Sequence, residues 1–391
     1  MTVAAGEQDF YQFAGLLTEE EQALRARVRQ FCEREVIPSI GPYWERGEFP
    51  AELIPKLAAL GVAGGTIAGY GCPGLSSVAA GLVSMELGRA DGSVATFFGV
   101  TSGLAMGAIA YGGSEEQKQR WLPAMARLEK IGAFGLTEPD VGSDASHLAA
   151  SAVRVGDRYV LNGEKRWIGN ATLADVTVIW ARNEETGQVN GFLVERGTPG
   201  FRAEAMAGKI AKRAILNAHI TLENCEIGEA QRLPGCDSFR DTAAILRNTR
   251  ASVAWEAVGH AAAAYEIALA YALGRRQFDR PIAGFQLIQQ KLVQMLGDLT
   301  AMQLLVWRLA TLRDAGTITD GQASLAKQHC AARARQVVAL AREIMGGNGL
   351  LLDYHLARHF TDMEAVYTYE GTNEVNTLIV GREITGIAAF A

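Results

Sequence analysis

An α+β fold, with a β block enclosed between two helical blocks, is predicted by three observations. Apolar residues recur at helical spacing up to about residue 130. Alternating strands with turn signals occupy the next hundred residues, and long alanine-rich helical runs fill the remainder. The domains expected are an N-terminal helical domain over residues 1–130, a middle antiparallel β domain over 131–235 and a C-terminal helical domain over 236–391.

Thr18 and Glu21 have the spacing of a capping box, and Leu24, Val28 and Phe31 follow on one helical face until Pro38 is expected to stop the run. Further helices are predicted around 51–60, 74–110 and 114–128. In the β block Val153 and Val155 alternate, Gly156-Asp157 turns, and Tyr159 and Leu161 resume the alternation. Asn162-Gly163 offers a second turn of the primed type, because both residues tolerate positive φ. Val176 to Ala181 is β-branched and aromatic, Glu185-Thr186-Gly187 turns, and Gly191 to Val194 returns. Ala218, Ile220 and Leu222 supply one more strand. The segments 251–273, 285–314, 319–346 and 371–388 read as long helices.

With 391 residues, 49% of them hydrophobic and 20% charged, the chain can bury a large core. A net charge of -6 without a dense Lys/Arg block argues against a nucleic-acid partner. The five cysteines are scattered with no CxxC pair, as buried thiols of a reducing compartment are. The first residues lack a secretory pattern, no uninterrupted apolar stretch reaches bilayer length, and the last residues are not a peroxisomal address. The expectation is a cytoplasmic protein without membrane insertion.

Two patterns are set aside. Gly69 to Gly74 spells GxGxxG, but no parallel βαβ unit surrounds it and Pro73 removes a donor, so it reads as a loop before a helix. His355 and His359 could share a helix face, yet the glutamate of HExxH and a third ligand are missing, so no metal site is expected.

Three segments carry the functional signal. The loop Gly135-Leu136-Thr137-Glu138-Pro139-Asp140-Val141-Gly142-Ser143-Asp144 can hold a polar ring edge or a phosphate with backbone N–H groups and hydroxyls. Glu343-Ile344-Met345-Gly346-Gly347-Asn348-Gly349, with Asp353, Arg358 and Asp362 downstream, permits close backbone approach to a nucleotide. Tyr369-Glu370-Gly371-Thr372-Asn373-Glu374 opens the last helix and can leave N–H groups for a phosphate. Taken singly, each is equally a turn, a helix C-cap or a favourable charge at a helix start.

Together they resemble the acyl-CoA dehydrogenase family over nearly the whole chain. The glycine motif with its downstream charges matches a signature of that family at every defined position. The first loop matches except at Val141 and His147. Within the family, Thr368 to Thr372, Gly386 to Phe390 and Lys165 to Asn170 are most similar to the glutaryl-CoA dehydrogenase group and its plant short-chain acyl-CoA oxidase relatives. The resemblance implies a C-terminal four-helix bundle, FAD as cofactor and α,β-dehydrogenation of an acyl-CoA thioester to a trans-2-enoyl-CoA. Removing an α-proton beside a thioester needs a positioned base, and Glu370 holds the family's catalytic position. Phe134, Leu136, Thr137 and Ser143 are implied to line the flavin, and Trp167, Ile168 and Gly169 to cover its ring. Arg275, Phe278, Gln286, Glu343, Gly346 and Gly347 are implied to reach FAD held mainly by a neighbouring subunit. Thr372 and Glu374 would meet its phosphate or ribose, with Phe390 nearby. Ser143, Asn248, Arg250, Tyr369 and Gly371 would meet the acyl-CoA. Shared sites of this kind imply a homotetramer, and the electron acceptor implied is an electron-transfer flavoprotein.

Three positions depart from those relatives. Ala95 stands where glutaryl-CoA dehydrogenases carry an arginine for the distal carboxylate, and Gly88 where they carry a glutamate associated with proton handling. A short, uncharged acyl chain is therefore the expected substrate. Gly169 stands where many dehydrogenases have a threonine and the plant oxidases a glycine, which leaves O2 as an alternative acceptor.

Overall fold

The computed structural model describes residues 9–389. Helix α1 (Glu19–Phe31) begins with both bonds of the capping box: Glu21 N donates to Thr18 Oγ1 at 3.2 Å, and Thr18 N to the Glu21 carboxylate at 3.0 Å. Its apolar face of Leu24, Val28 and Phe31 is buried. Pro38 does not stop the run. The ladder loosens into a π-helical turn over Cys32–Val36, and α2 (Ile37–Arg46) continues with Pro38 in its first turn, where a missing N–H costs least.

Helices α3 (Leu53–Ala58) and α4 (Ser77–Ala90) follow, and the glycine-rich loop 69–74 lies between them with no strand before it. The helix expected over 74–110 is broken at Asp91. Its backbone is extended, and its carboxylate caps α5 (Gly92–Phe98) by accepting from Ser93 N at 2.8 Å. A second π-helical stretch, Gly99–Ala105, joins α5 to α6 (Met106–Gly112), and α7 (Glu115–Ala126) ends the block. The rod Gly92–Gly112 has 21 residues and a mean hydropathy of 1.5, so an apolar helix of bilayer-spanning length does exist here. Most of it is buried inside the fold, as a core helix is.

The middle domain is a seven-stranded sheet of β1 (Gly132–Gly135), β2 (Ser151–Val155), β3 (Arg158–Gly169), β4 (Val176–Asn183), β5 (Val189–Glu195), β6 (Phe201–Ala205) and β7 (Asn217–Gly228). Its order is β1-β4-β2-β3-β7-β6, with β5 also on β4. The sheet is mixed rather than purely antiparallel, because β1 and β2 both run parallel to β4. Long connections bring those strands together, and only hairpin partners are obliged to be antiparallel. Gly156-Asp157 and the 184–187 segment form hairpin turns. Asn162-Gly163 does not turn. It lies within β3, where the register on β7 shifts, and Gly163 has φ +134. A Cβ there would stand 2.7 Å from Ala150 Cα, so close backbone approach explains this glycine.

The C-terminal domain begins with α8 (Phe239–Gly274). A short hairpin of β8 (Arg276–Gln277) and β9 (Arg280–Pro281) leads to α9 (Gln286–Asp314) and α10 (Asp320–Met345). The stretch after 346 forms α11 (Leu356–Thr368), and the last run starts at Asn373 as α12 (Asn373–Thr385). Helices α8 to α11 form the four-helix bundle, with α12 laid against α10.

What docks the N-terminal domain on this bundle is a small-residue seam between α4 and α8. Gly81 lies under the Trp255 indole, and Gly259 meets the α4 backbone at Met85 and Arg89. A Cβ on Gly259 would overlap main-chain atoms, which cannot rotate away. Gly259→Ala is therefore expected to lower stability by about 1–3 kcal/mol, measured as a reduced urea midpoint with an unchanged slope.

Candidate active site

A cleft of about 1430 Å³ opens where the three domains meet, larger than the ~300–1,000 Å³ of a single small-ligand site. One end is the turn between α11 and α12. Glu370 and Gly371 both adopt left-handed backbone, with φ +54 and +85. For glutamate that conformation is strained and must be imposed. Asn376 imposes it: its buried Nδ2, with two N–H bonds, lies within hydrogen-bonding distance of the carbonyls of Gly371, Thr372 and Glu370 at 2.8, 3.1 and 3.3 Å. Lys327 Nζ holds the same turn from α10, donating to Gly371 O at 2.8 Å and Tyr367 O at 3.0 Å. A Cβ on Gly371 would stand 2.9 Å from Asn376 Nδ2, so the residue after the carboxylate has to be glycine.

So placed, the Glu370 carboxylate projects into the cleft, where Thr249 Oγ1 of α8 donates to its Oε2 at 2.8 Å. Burial by the surrounding protein raises its pKa above the ordinary carboxylate range. The Thr249 bond and the charges of Arg250 and Lys327 offset part of that rise. Burial also pushes the Lys327 ammonium down to about 8. The product is a fixed carboxylate of enhanced basicity, open to the cleft, which is what proton abstraction from carbon requires. Arg250 is buried beside it, and its Nε has no hydrogen-bond partner among the described residues.

The cleft is also lined by Phe134 and Leu136, then Thr137 and Ser143, then Trp167, Ile168 and Gly169. A register shift between Lys165 and Ile168 lifts Trp167 out of the β3–β7 ladder. Trp167 takes φ +67 and leaves its indole 55% exposed on the cleft. A planar aromatic ring of the flavin kind fits such a wall, with apolar faces to stack on and the Thr137 and Ser143 hydroxyls at its edge. Gly169 is closely overlaid: a Cβ there would meet Val100 Cγ2 at 3.2 Å and Ile215 Cδ1 at 3.3 Å.

The structure therefore brings Glu370, Tyr369, Gly371, Asn248, Arg250 and Ser143 to one cleft with the aromatic wall. It does not bring Arg275, Phe278, Gln286, Glu343, Gly346 or Gly347 there. These lie exposed around β8, β9 and the ends of α8, α9 and α10, and Phe278 is 88% exposed. Glu343 pairs with Lys291 at 2.5 Å. Thr372 caps α12 by accepting from Val375 N at 3.2 Å, and Glu374 points to the exterior. Phe390 lies outside the described residues. The two set-aside histidines do not act together, since His359 is buried and bonded to His260 at 2.8 Å while His355 meets Arg358. Among the described residues no group of three or more His, Cys, Asp or Glu could hold a metal ion.

Five residues that build the site were not singled out in sequence: Thr249, Lys327, Asn376, Lys212 and Glu256. Lys212 and Glu256 form a buried ion pair behind Tyr369. Only the position of Thr249 directly between Asn248 and Arg250 could have drawn attention to any of them.

A cleft that joins an aromatic wall to a fixed, basic carboxylate defines a flavin-dependent oxidoreductase that works at carbon. The comparisons name the family. Residues 18–129, 133–225 and 239–385 match the N-terminal, middle and C-terminal domains of acyl-CoA dehydrogenase in turn. An acyl-CoA dehydrogenase of Bacillus subtilis (strain 168) is 34% identical over 375 residues, 95% of this chain and 99% of the relative. Two structures of glutaryl-CoA dehydrogenase from Mycobacterium smegmatis superpose closely. One is 41% identical with a TM-score of 0.94, covering 97% of both chains. The other, in complex with FADH2, is 36% identical with a TM-score of 0.96, covering 98% of this chain and 99% of that one. Butyryl-CoA dehydrogenase from Megasphaera elsdenii is 31% identical with a TM-score of 0.90, covering 94% and 98%. The chain belongs to the acyl-CoA dehydrogenase family, and its cofactor is FAD.

Because the Thr249 bond and the Lys327 charge both hold the Glu370 pKa down, removing either raises it. Thr249→Val and Lys327→Met are each expected to move the acidic limb of the kcat/KM profile to higher pH. The limb is followed by flavin reduction from pH 5 to 9.

Proposed function

We propose that the enzyme oxidises a short, uncharged acyl-CoA to its trans-2-enoyl-CoA, with Glu370 as the base that takes the α-proton. The observation that carries this reading is the Glu370 carboxylate, held by Thr249 and by its left-handed turn in the cleft that Trp167 also lines. FAD, when bound, supplies the acceptor for the hydride that leaves the β-carbon. The chain's own part is to seat the thioester in the cleft and to hold the base in one orientation. The Arg250 Nε, without a partner among the described residues, offers a donor to the anionic CoA portion.

The charge of the acyl chain is read from the residues Ala95 and Thr96 of the cleft, neither of which supplies a cation for a distal carboxylate. A terminal carboxylate would have to be desolvated there without a partner. The exposed surfaces around Phe278, Gln286, Gly346 and Gly347 support a homotetramer in which neighbouring chains complete the FAD site. An electron-transfer flavoprotein is the acceptor proposed and the cytoplasm the location. Gly169 favours a second reading, transfer of the electrons to O2, which hydrogen peroxide formation in air would reveal.

Glu370→Gln should keep FAD and lose about 10²–10⁴-fold in the rate of anaerobic flavin bleaching by the best acyl-CoA. Full activity in a FAD-loaded variant would remove Glu370 from the base role. In the native enzyme butyryl-CoA should bleach the flavin readily and glutaryl-CoA poorly, without CO2 release. Comparable turnover of the two with decarboxylation would overturn the assignment of an uncharged substrate.

A further inference from the structure

Behind the acyl end of the cleft lies a buried ion pair that the reaction does not use. Glu256 sits seven residues beyond Thr249 on α8, two helical turns deeper on the same face, and both residues line the cleft. Its Oε1 accepts from Lys212 Nζ, and its Oε2 accepts from the Tyr369 hydroxyl at 2.9 Å. Lys212 Nζ is also within hydrogen-bonding distance of Thr96 Oγ1 at 2.8 Å, Gly92 O at 3.2 Å and Tyr369 Oη at 2.6 Å. Four acceptors surround an ammonium that has three N–H bonds, so no donor remains for a ligand. His260 Nε2 lies 3.9 Å from Glu256 Oε1, and Asp362, on the far side, accepts from Lys212 N at 2.5 Å. The Glu256 stem also fills space: a Cβ on Gly88 would stand 3.0 Å from its Cγ. The absent side chain at 88 is thus matched by one supplied from α8.

We propose that Glu256 is a specificity-determining residue: its carboxylate is a built-in counter-ion of Lys212 at the floor of the acyl site, and it turns away acyl chains that end in a second carboxylate. Such a chain would meet a carboxylate already paired with Lys212, and the two anions would be forced together out of water. A chain of the same length ending in a neutral group meets no such penalty. Charge, not length, makes the selection. The inference rests on the acyl-CoA reading above and adds to it the residue that sets the choice.

The test uses the FAD-loaded native enzyme and Glu256→Gln, with Glu256→Ala as a second variant. Anaerobic flavin bleaching is followed with butyryl-CoA, glutaryl-CoA and glutaramyl-CoA, the last an isostere with a terminal carboxamide in place of the carboxylate. The native enzyme should favour the amide over the acid by more than about tenfold in kcat/KM. Either substitution removes the anion and leaves Lys212 without its counter-ion, so the ratio should fall by about tenfold or more. Equal use of acid and amide by the native enzyme would overturn the proposal. So would rejection of both while butyryl-CoA is oxidised, since length would then decide. An unchanged ratio in variants that hold FAD and oxidise butyryl-CoA would do the same. The native comparison decides without any variant. Absence of bleaching by butyryl-CoA and by every other acyl-CoA would instead count against the acyl-CoA reading itself.

Discussion

The catalytic end of this molecule depends on one backbone constraint, the left-handed pair at Glu370 and Gly371. Glutamate avoids that conformation when nothing enforces it. Here it is enforced from two directions, by Asn376 within α12 and by Lys327 reaching across from α10. Without them the chain would pass from α11 into α12 by an ordinary turn, and the carboxylate would lose its aim into the cleft. The strain is stored where the chemistry is, and α10, which packs against α8, α9, α11 and α12, supplies the rigidity that maintains it.

Several buried charges have an ionic partner from another segment. Glu138 holds Lys165 at 2.7 Å and also accepts from Ala149 N and Ala150 N, which ties the flavin-side loop to β3. Glu86 receives Arg25 and Arg29, fixing α1 on α4. Asp91 receives Arg358 at 3.1 Å, joining the N-terminal domain to α11. Arg358 and Asp362, two defined positions of the family signature, are thereby structural: both are buried, and Asp362 accepts from Trp44 Nε1 and Lys212 N. Burial, then the neighbouring Asp91 charge, pushes the Asp362 carboxyl up to about 6. Removing one member of such a pair strands the other, at about 3–5 kcal/mol.

These dependencies explain which features were legible in the chain. The capping box of Thr18 and Glu21, the strand alternation at Tyr159 and Leu161 and the long alanine-rich helices are local, and local patterns announced them. Pro38 misled because a π-helical turn before it lets the helix absorb a proline, which spacing alone does not reveal. Asn162-Gly163 misled because its glycine serves contact with Ala150, a residue on another segment, and not a hairpin. The cleft residues followed the same division. The stretches around Glu370 and Trp167 stand out as motifs, whereas Thr249 lies 121 residues from the carboxylate it holds. Lys212 and Glu256 are ordinary charges in sequence and become a site only when three domains close on them.

That closure links stability to specificity. The Lys212 ammonium is carried by the loop before β7, its carboxylate partner Glu256 by α8, its hydroxyl partners by α5 and by the turn that holds Glu370. One cation thus touches the N-terminal, middle and C-terminal domains at the floor of the acyl site. Desolvating it is tolerable only because all its hydrogen bonds are met inside the protein. Without Glu256 the ammonium would keep three neutral acceptors, Gly92 O, Thr96 Oγ1 and Tyr369 Oη, but no counter-ion. This chain supplies the anion itself, so its three domains are joined at that point whether or not an acyl-CoA is bound.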